Sequence, residues 1–386
     1  MNATNTLVDM PLEPRPFELD ALRRYPDVEA PNLYAVDATD RLLLDTAADL
    51  IEAEPARAHA LVVIGDHYGA LTLGAITRFD TTGVRTNQDP LSGELALRHN
   101  AERTGLDGHY ANHALAPELV AGARLVLVQA PKSLLELTEI TQLVAEHAAP
   151  DVVILLGGRV KYLTKAMNDV LGQCFTDVRA GLARQKSRVI FAGDRRAEFE
   201  RVEFPQRRWH PDVRLWVCAY GAAFAGTAID IGTRRLIDLL DDLPDAERAI
   251  DLGCGTGVLA TLLARSGRTV LATDQSAAAC ASARATAAAN EVTVTVDRDD
   301  ALANQPEASA DLILCNPPFH LGTAVYAGAA GKLFDGAARV LVDGGQLWTV
   351  FNNHLGYRVQ LQRLIGPSRV VHQDAKFTVV ASTRQR

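Results

Sequence analysis

The chain has 386 residues, 48% of them hydrophobic and 22% charged, enough for two or three globular domains. A formal net charge of −8 argues against a general nucleic-acid coat protein, because phosphate binding runs on Lys and Arg. The longest apolar runs, at 125–130 and 152–156, are strand-length and fall far short of the roughly 20 residues that cross a bilayer, so no membrane span is expected.

In chain order, the residues up to about 33 are rich in Pro and acidic side chains and are expected to be loosely ordered or to lie across a domain. They show no basic region followed by an apolar core, so a secretory signal is not expected and the cytoplasm is the expected compartment. Residues 42–53 read as a helix, 60–64 as a strand, and Gly65-Asp66-His67-Tyr68-Gly69 as a turn into an Ala/Leu helix. Strands are expected at 124–129, 152–156 and 189–193, with a helix at 132–147. The stretch 157–210 carries twelve Lys or Arg against six Asp or Glu, a candidate basic face or an ordinary solvated surface. The second half alternates more cleanly: helix 232–243, strand 248–252, a glycine loop, helix 258–266, strand 269–273, helix 276–290, strand 292–296 and strand 311–315. A helix at 325–341, a strand at 346–351, a helix at 357–365 and neighbouring strands at 369–372 and 377–382 complete it. The pattern predicts an α/β chain of two tandem doubly wound domains, 1–207 and 208–386, the second with an antiparallel edge.

Cys174, Cys218, Cys254, Cys280 and Cys315 are scattered without a C-x-x-C pair, so reduced buried thiols are expected and a metal is not. Asp251-x-Gly253-x-Gly255-x-Gly257 follows an apolar strand and opens a helix, which lets backbone approach a ligand and present amides to it. This spacing departs from the G-x-G-x-x-G of dinucleotide folds and is similar to the cofactor loop of class I S-adenosylmethionine methyltransferases. The similarity implies that the glycines accommodate the methionine end of the cofactor and that Asp251 orients its amino group. Asp274 ends the next strand, where an acid accepts hydrogen bonds from ribose hydroxyls. Asp299 and Asp300 follow the third strand, where such enzymes place a residue on the adenine amine; one of the two fills that place, and Asp300 is carried as the candidate without settling between them.

Asn316-Pro317-Pro318-Phe319 follows the fourth strand, at the crevice of a doubly wound sheet. The prolines remove two N–H groups and fix φ, so the Pro317 carbonyl and the Asn316 side-chain carbonyl can face an incoming amine. An exocyclic amine on a planar ring is a poor nucleophile, and two acceptors on its hydrogens favour a pyramidal nitrogen aimed at a methyl donor. Phe319 offers a face on which a base can stack.

The extended string through His320 and Gly322 resembles the bacterial ribosomal RNA guanine-N2 methyltransferases of the RsmC and RlmG type. Further residues carry the resemblance: Phe224 with Asp230-Ile231-Gly232-Thr233, Gly344-Gly345 with Lys376-Phe377, and Ala130-Pro131-Lys132-Ser133 in the place of a second Asn-Pro-Pro-Phe. The resemblance implies two methyltransferase-like domains, the first degenerate and helping to bind RNA, with S-adenosylmethionine as cofactor. It implies methylation of a guanine in ribosomal RNA or a ribosomal subunit; His320, beside the stacking face of Phe319, either contacts the substrate or caps the loop. Adenine, cytosine or a protein glutamine as acceptor, and a non-catalytic RNA-binding assembly factor, remain the competing readings.

Overall fold

The computed structural model describes residues 17–317 and 323–385, with side chains from residue 330 onward in the second stretch. Strands β1 (Leu61–Ile64), β2 (Val84–Asn87), β3 (Tyr110–Asn112), β4 (Leu125–Gln129), β5 (Val153–Arg159), β6 (Phe175–Ala180) and β7 (Ser187–Arg195) form one sheet in the order 3-2-1-4-5-7-6. Its helices are α1 (Ala38–Ala53), α2 (Ala70–Phe79), α3 (Leu91–Thr104), α4 (Pro117–Val120), α5 (Leu134–His147) and α6 (Lys165–Cys174). A hairpin, β8 (Gln206–His210) and β9 (Leu215–Ala219), leads into the second unit. There β10 (Arg248–Leu252), β11 (Thr269–Asp274), β12 (Thr295–Arg298), β13 (Ala310–Cys315), β14 (Leu341–Asn352), β15 (Ser368–Gln373) and β16 (Phe377–Thr383) repeat the same order. They carry α7 (Ile231–Ile237), α8 (Val258–Arg265), α9 (Ala277–Ala289), α10 (Thr323–Val340) and α11 (Arg358–Leu364).

Each sheet is parallel from its first five strands and closes with an antiparallel pair, β5–β7–β6 and β14–β16–β15. The central strands are apolar on both faces because helices cover both: Leu61–Ile64 is buried throughout, as are Leu312, Ile313, Leu314 and Cys315. Two apolar clusters, one per face, sandwich each sheet.

Register puts the functional loops side by side. Leu252 pairs with Thr273 and with Cys315, so Gly253, Asp274 and Asn316 leave the sheet together at the switch between β10 and β13. In the first unit Ile64 pairs with Asn87 and Val128, which makes Gly65, Gln88 and Gln129 the matching residues.

Most second-half elements lie where the alternation predicts them, but β12 begins at Thr295 rather than 292 and β14 at Leu341 rather than 346. The expected helix 232–243 stops at Ile237 and ends in a separate 3-10 turn, Leu240–Asp242. In the first half β2, β3, α3, α4, α6 and β6 are not among the expected elements. Residues 17–33 lie across the first unit: Asn100 holds the backbone of Arg23 at both ends, at 2.9 and 2.8 Å, and the Arg24 guanidinium lies 4.5 Å from the Tyr68 ring centre. The β8–β9 hairpin spans the expected boundary at 207/208, and its outer edge is satisfied by side chains of α9: Cys218 N donates to Thr286 Oγ1 and Tyr220 N to Ser282 Oγ. Several side chains of the basic stretch have partners within the chain while the ion-paired ones stay exposed at the surface. Arg159 pairs with Asp37, Arg184 with Asp45 and Arg201 with Glu146, while Arg195 and Arg196 donate to carbonyls. Among the described residues no helix is long and apolar enough to cross a membrane, and all five cysteines are buried and unpaired.

Candidate active site

The glycine loop turns because its three glycines hold left-handed backbone, with φ of +74° at Gly253, +52° at Gly255 and +75° at Gly257. Their reasons differ. A Cβ on Gly257 would lie 2.8 Å from Ala283 on α9, so this glycine brings two helices together. Among the described residues a Cβ on Gly255 would meet nothing within 4 Å, and one on Gly253 only the Asn316 carbonyl at 3.9 Å. No described residue therefore crowds the loop's backbone, which suits a ligand that must come close.

Two carboxylates brace this loop. Asp251 is 2% exposed and accepts from Ala260 N at 2.9 Å, tying strand to helix. Burial pushes its carboxyl up to about 7, with Asp274 nearby adding to the rise. Asp274 accepts from Gly255 N at 3.0 Å through one oxygen and from Ser276 N at 2.9 Å through the other. It thus links the glycine loop to the start of α9, and desolvation raises its pKa as well.

Asp299 is buried and accepts from Asn304 N and Gln305 Nε2, which spends its oxygens on the turn that follows. Asp300 faces α10 and is bonded by Lys332 Nζ. The two residues after it, Ala301 and Leu302, both hold left-handed backbone at φ +56° and +64°, a tight turn that α10 accepts because Gly336 lies against Ala301 O.

Asn316 emerges beside Gly253 with its amide nitrogen held twice, donating to Asp230 Oδ2 and to Thr233 Oγ1 at 3.0 Å each. Asp230 also caps α7, accepting from Gly232 N at 2.8 Å and Thr233 N at 3.4 Å. A carboxylate only accepts, so the nitrogen must face Asp230 and the carbonyl oxygen must face away. That oxygen is buried and has no hydrogen-bond partner among the described residues. Leaving it so costs about 1–3 kcal/mol, a penalty that an incoming donor would relieve. Pro317 is buried next to it, whereas Pro318, Phe319, His320 and Gly322 lie outside the described residues.

The glycine loop and the acceptor left unpartnered among the described residues fit S-adenosylmethionine and an amine donor at the carboxyl edge of the sheet between β10 and β13. Asp230 and Thr233 are the site residues whose role the sequence did not disclose. Asp230 is visible there as a helix cap, but its bond to a residue far along the chain is not.

The first unit keeps the loop's shape without its chemistry. Gly65, His67 and Gly69 hold φ of +77°, +59° and +99°, matching the three glycines, although His67 is not a glycine. Gln88 stands where Asp274 does and Val63 where Asp251 does. Gln129, the counterpart of Asn316, donates to the buried Asp40.

The fold and the glycine loop define the second unit as a class I S-adenosylmethionine-dependent methyltransferase domain. The family model described as "Methyltransferase small domain" matches residues 214–381, and "RLMG N-terminal domain" matches residues 14–196. The chain belongs to the ribosomal RNA large subunit methyltransferase G family: it is 35% identical to the Pseudomonas aeruginosa protein of that name over 96% of this chain and 99% of the relative. The Streptomyces coelicolor protein of the same name is 34% identical over 96% and 99%. Among solved structures, the T. thermophilus 16S rRNA N2 methyltransferase RsmC, in complex with AdoMet and guanosine, has the same two-unit fold, with a TM-score of 0.73 over 90% of this chain and 92% of that one at 19% identity.

Proposed function

We propose that this protein transfers a methyl group from S-adenosylmethionine to the exocyclic N2 amine of a guanine in large-subunit ribosomal RNA, met in the cytoplasm. The carrying observation is the Asn316 amide beside the glycine loop, whose nitrogen is anchored by Asp230 and Thr233 while its buried oxygen lacks a partner among the described residues. The family name of its relatives supports ribosomal RNA as the acceptor.

In this reading Gly253, Gly255 and Gly257 give backbone access to the methionine end of the cofactor, Asp251 attracts its ammonium, Asp274 accepts from its ribose hydroxyls and Asp300 from its adenine amine. Bound, the cofactor supplies an electrophilic sulfonium methyl. Asn316 Oδ1 and the Pro317 carbonyl accept the two amine hydrogens, which draws the lone pair out of conjugation and holds the nitrogen in line. Pro318 stiffens the loop, Phe319 stacks on the base, and His320 contacts the substrate. Residues 208–386 perform the reaction, and residues 1–207 help to hold the RNA.

Incubation with labelled cofactor and either large subunits, small subunits or the extracted RNAs, followed by digestion to nucleosides, tests the reading. Label in N2-methylguanosine from large-subunit RNA is the expected result. Label in a methylated adenosine or cytidine, or in ribosomal protein, overturns the base assignment.

A further inference from the structure

Asp89 belongs to the first unit, on the loop that follows β2, and has no part in the chemistry above. Its contacts nevertheless end in the cofactor site. The loop after β2 (Gln88, Asp89, Pro90) and the loop after β11 (Asp274, Gln275, Ser276) occupy matching places in their two sheets, and they meet face to face. Pro90 and Ser276 form an antiparallel bridge. Leu91 N donates to Gln275 O at 2.9 Å, and the matching Ala277 N donates to Asp89 O at 3.0 Å. Ser92 Oγ donates to Gln275 Oε1 at 2.9 Å, and the matching Ala278 N donates to Asp89 Oδ1 at 2.8 Å. Such reciprocity is the signature of a self-complementary twofold contact, here made by two halves of one chain.

The consequence falls on α9. A helix starts with amides that lack an internal partner, and they must be satisfied from outside. Here Ala277 N and Ala278 N are satisfied by Asp89 of the other unit, and Ala279 N by the Ser276 hydroxyl at 3.0 Å. The start of α9 is thus built jointly by the two units. Ser276, between them, donates its own amide to Asp274 Oδ1. Arg298, at the end of β12, closes the arrangement: it donates to Gln88 O and Asp89 O at 2.9 Å each and to Gln275 O at 3.2 Å, and pairs with Glu94 at 2.7 Å.

We propose that Asp89 is a positioning residue for cofactor binding: by capping α9 from the first unit it fixes Ser276 and, through it, the Asp274 carboxylate. The proposal rests on the reading of Asp274 as the ribose ligand. It gives the degenerate unit a role in the reaction that is separate from holding RNA.

The test measures S-adenosylmethionine affinity by calorimetry, and methylation kinetics, on the full chain. Asp89→Ala is expected to weaken cofactor binding about 5- to 20-fold, the range of a lost helix cap, and to raise the cofactor KM in parallel while kcat at saturation stays within about twofold. Asp89→Asn keeps an accepting oxygen and is expected to restore affinity to within about twofold of the parent. Ala277→Pro provides a second route should Asp89→Ala not fold. Proline suits the first helical position, Ser276 before it is already extended at ψ 126°, and only the bond to Asp89 O is lost; severalfold weaker binding is expected. A folded Asp89→Ala or Ala277→Pro chain that binds cofactor as the parent does, or loses only melting temperature, overturns the proposal. Asp274→Ala separates the two readings. If it binds normally, the ribose assignment fails and takes the proposal with it; if it binds weakly while Asp89→Ala binds normally, the proposal alone fails.

Discussion

Asn316 has an amide whose two ends do different work, and that division yields a sharp expectation. Its nitrogen is committed to Asp230 and Thr233, so removal of the side chain costs the site an acceptor without touching the glycine loop. Asn316→Ala should lower kcat about 100-fold or more, as loss of one preorganised hydrogen-bonding group typically does, with cofactor affinity by calorimetry changed less than about threefold. A comparable loss of affinity would show that Asn316 is part of the cofactor cradle instead. Asp251 gives a pH signature. Burial raises its carboxyl to about 7, and a carboxylate attracts the cofactor ammonium only when ionised, so affinity should climb as pH rises toward 7 and level off above it. In Asp251→Asn the climb should disappear; a profile unchanged by that substitution assigns the pH dependence to another group.

At the scale of elements, α7 works as a bracket for the crevice. Its cap, Asp230, satisfies two helix amides and one amide of Asn316, so Asp230→Ala should remove about 1 kcal/mol of stability and also let the Asn316 side chain turn. The expected readout is a kcat reduced at least about tenfold with a smaller change in cofactor KM, and a milder loss in Thr233→Val, which removes one acceptor and keeps the shape. Equal, small effects of both on kcat would separate α7 from the chemistry. The elements also show what a sequence can disclose. Strands β10, β11 and β13 were legible because they are covered on both faces and read as short apolar runs between turn residues. β2, with Arg85 and Asn87, and β3, with only three residues, carry no such run. Arg207-Arg208-Trp209 reads as a charge cluster, yet it lies in β8, and the partner strand β9 takes its outer hydrogen bonds from side chains of α9. The glycine loop and Asn316 were legible from local chemistry; the bond from Asp230 to Asn316 and the reach of Asp89 into α9 join residues remote in sequence, and the second is partly main chain, which leaves no mark in residue type.

For the whole molecule, the two units share an electrostatic habit. Asp40 and Glu136 are raised to about 8, Asp66 to about 6 and Asp251 to about 7, in every case chiefly by burial. Unfolded carboxyls release their protons near pH 4, so between about pH 4 and 8 the folded state holds more protons than the unfolded one. Stability is therefore present in full at the acid end of that window and falls as pH rises through these values. Below it, ion-paired carboxylates such as Asp311, held down by Arg248, reverse the slope. The apo protein should melt higher at about pH 5 than at pH 8.5, and Asp40→Asn should flatten the difference. A melting temperature that rises across the same interval would show that these carboxyls are ionised in the folded state.

The proline that follows Asn316 has one more effect, on how long the molecule lasts. An asparagine ages to aspartate chiefly when the next backbone nitrogen loses its hydrogen and attacks the amide, and Pro317 has no hydrogen to lose. The exchange would be ruinous here, since a new carboxylate would face Asp230 across the 3.0 Å now spanned by a hydrogen bond. The loop that shapes the acceptor also shields it from its commonest chemical decay.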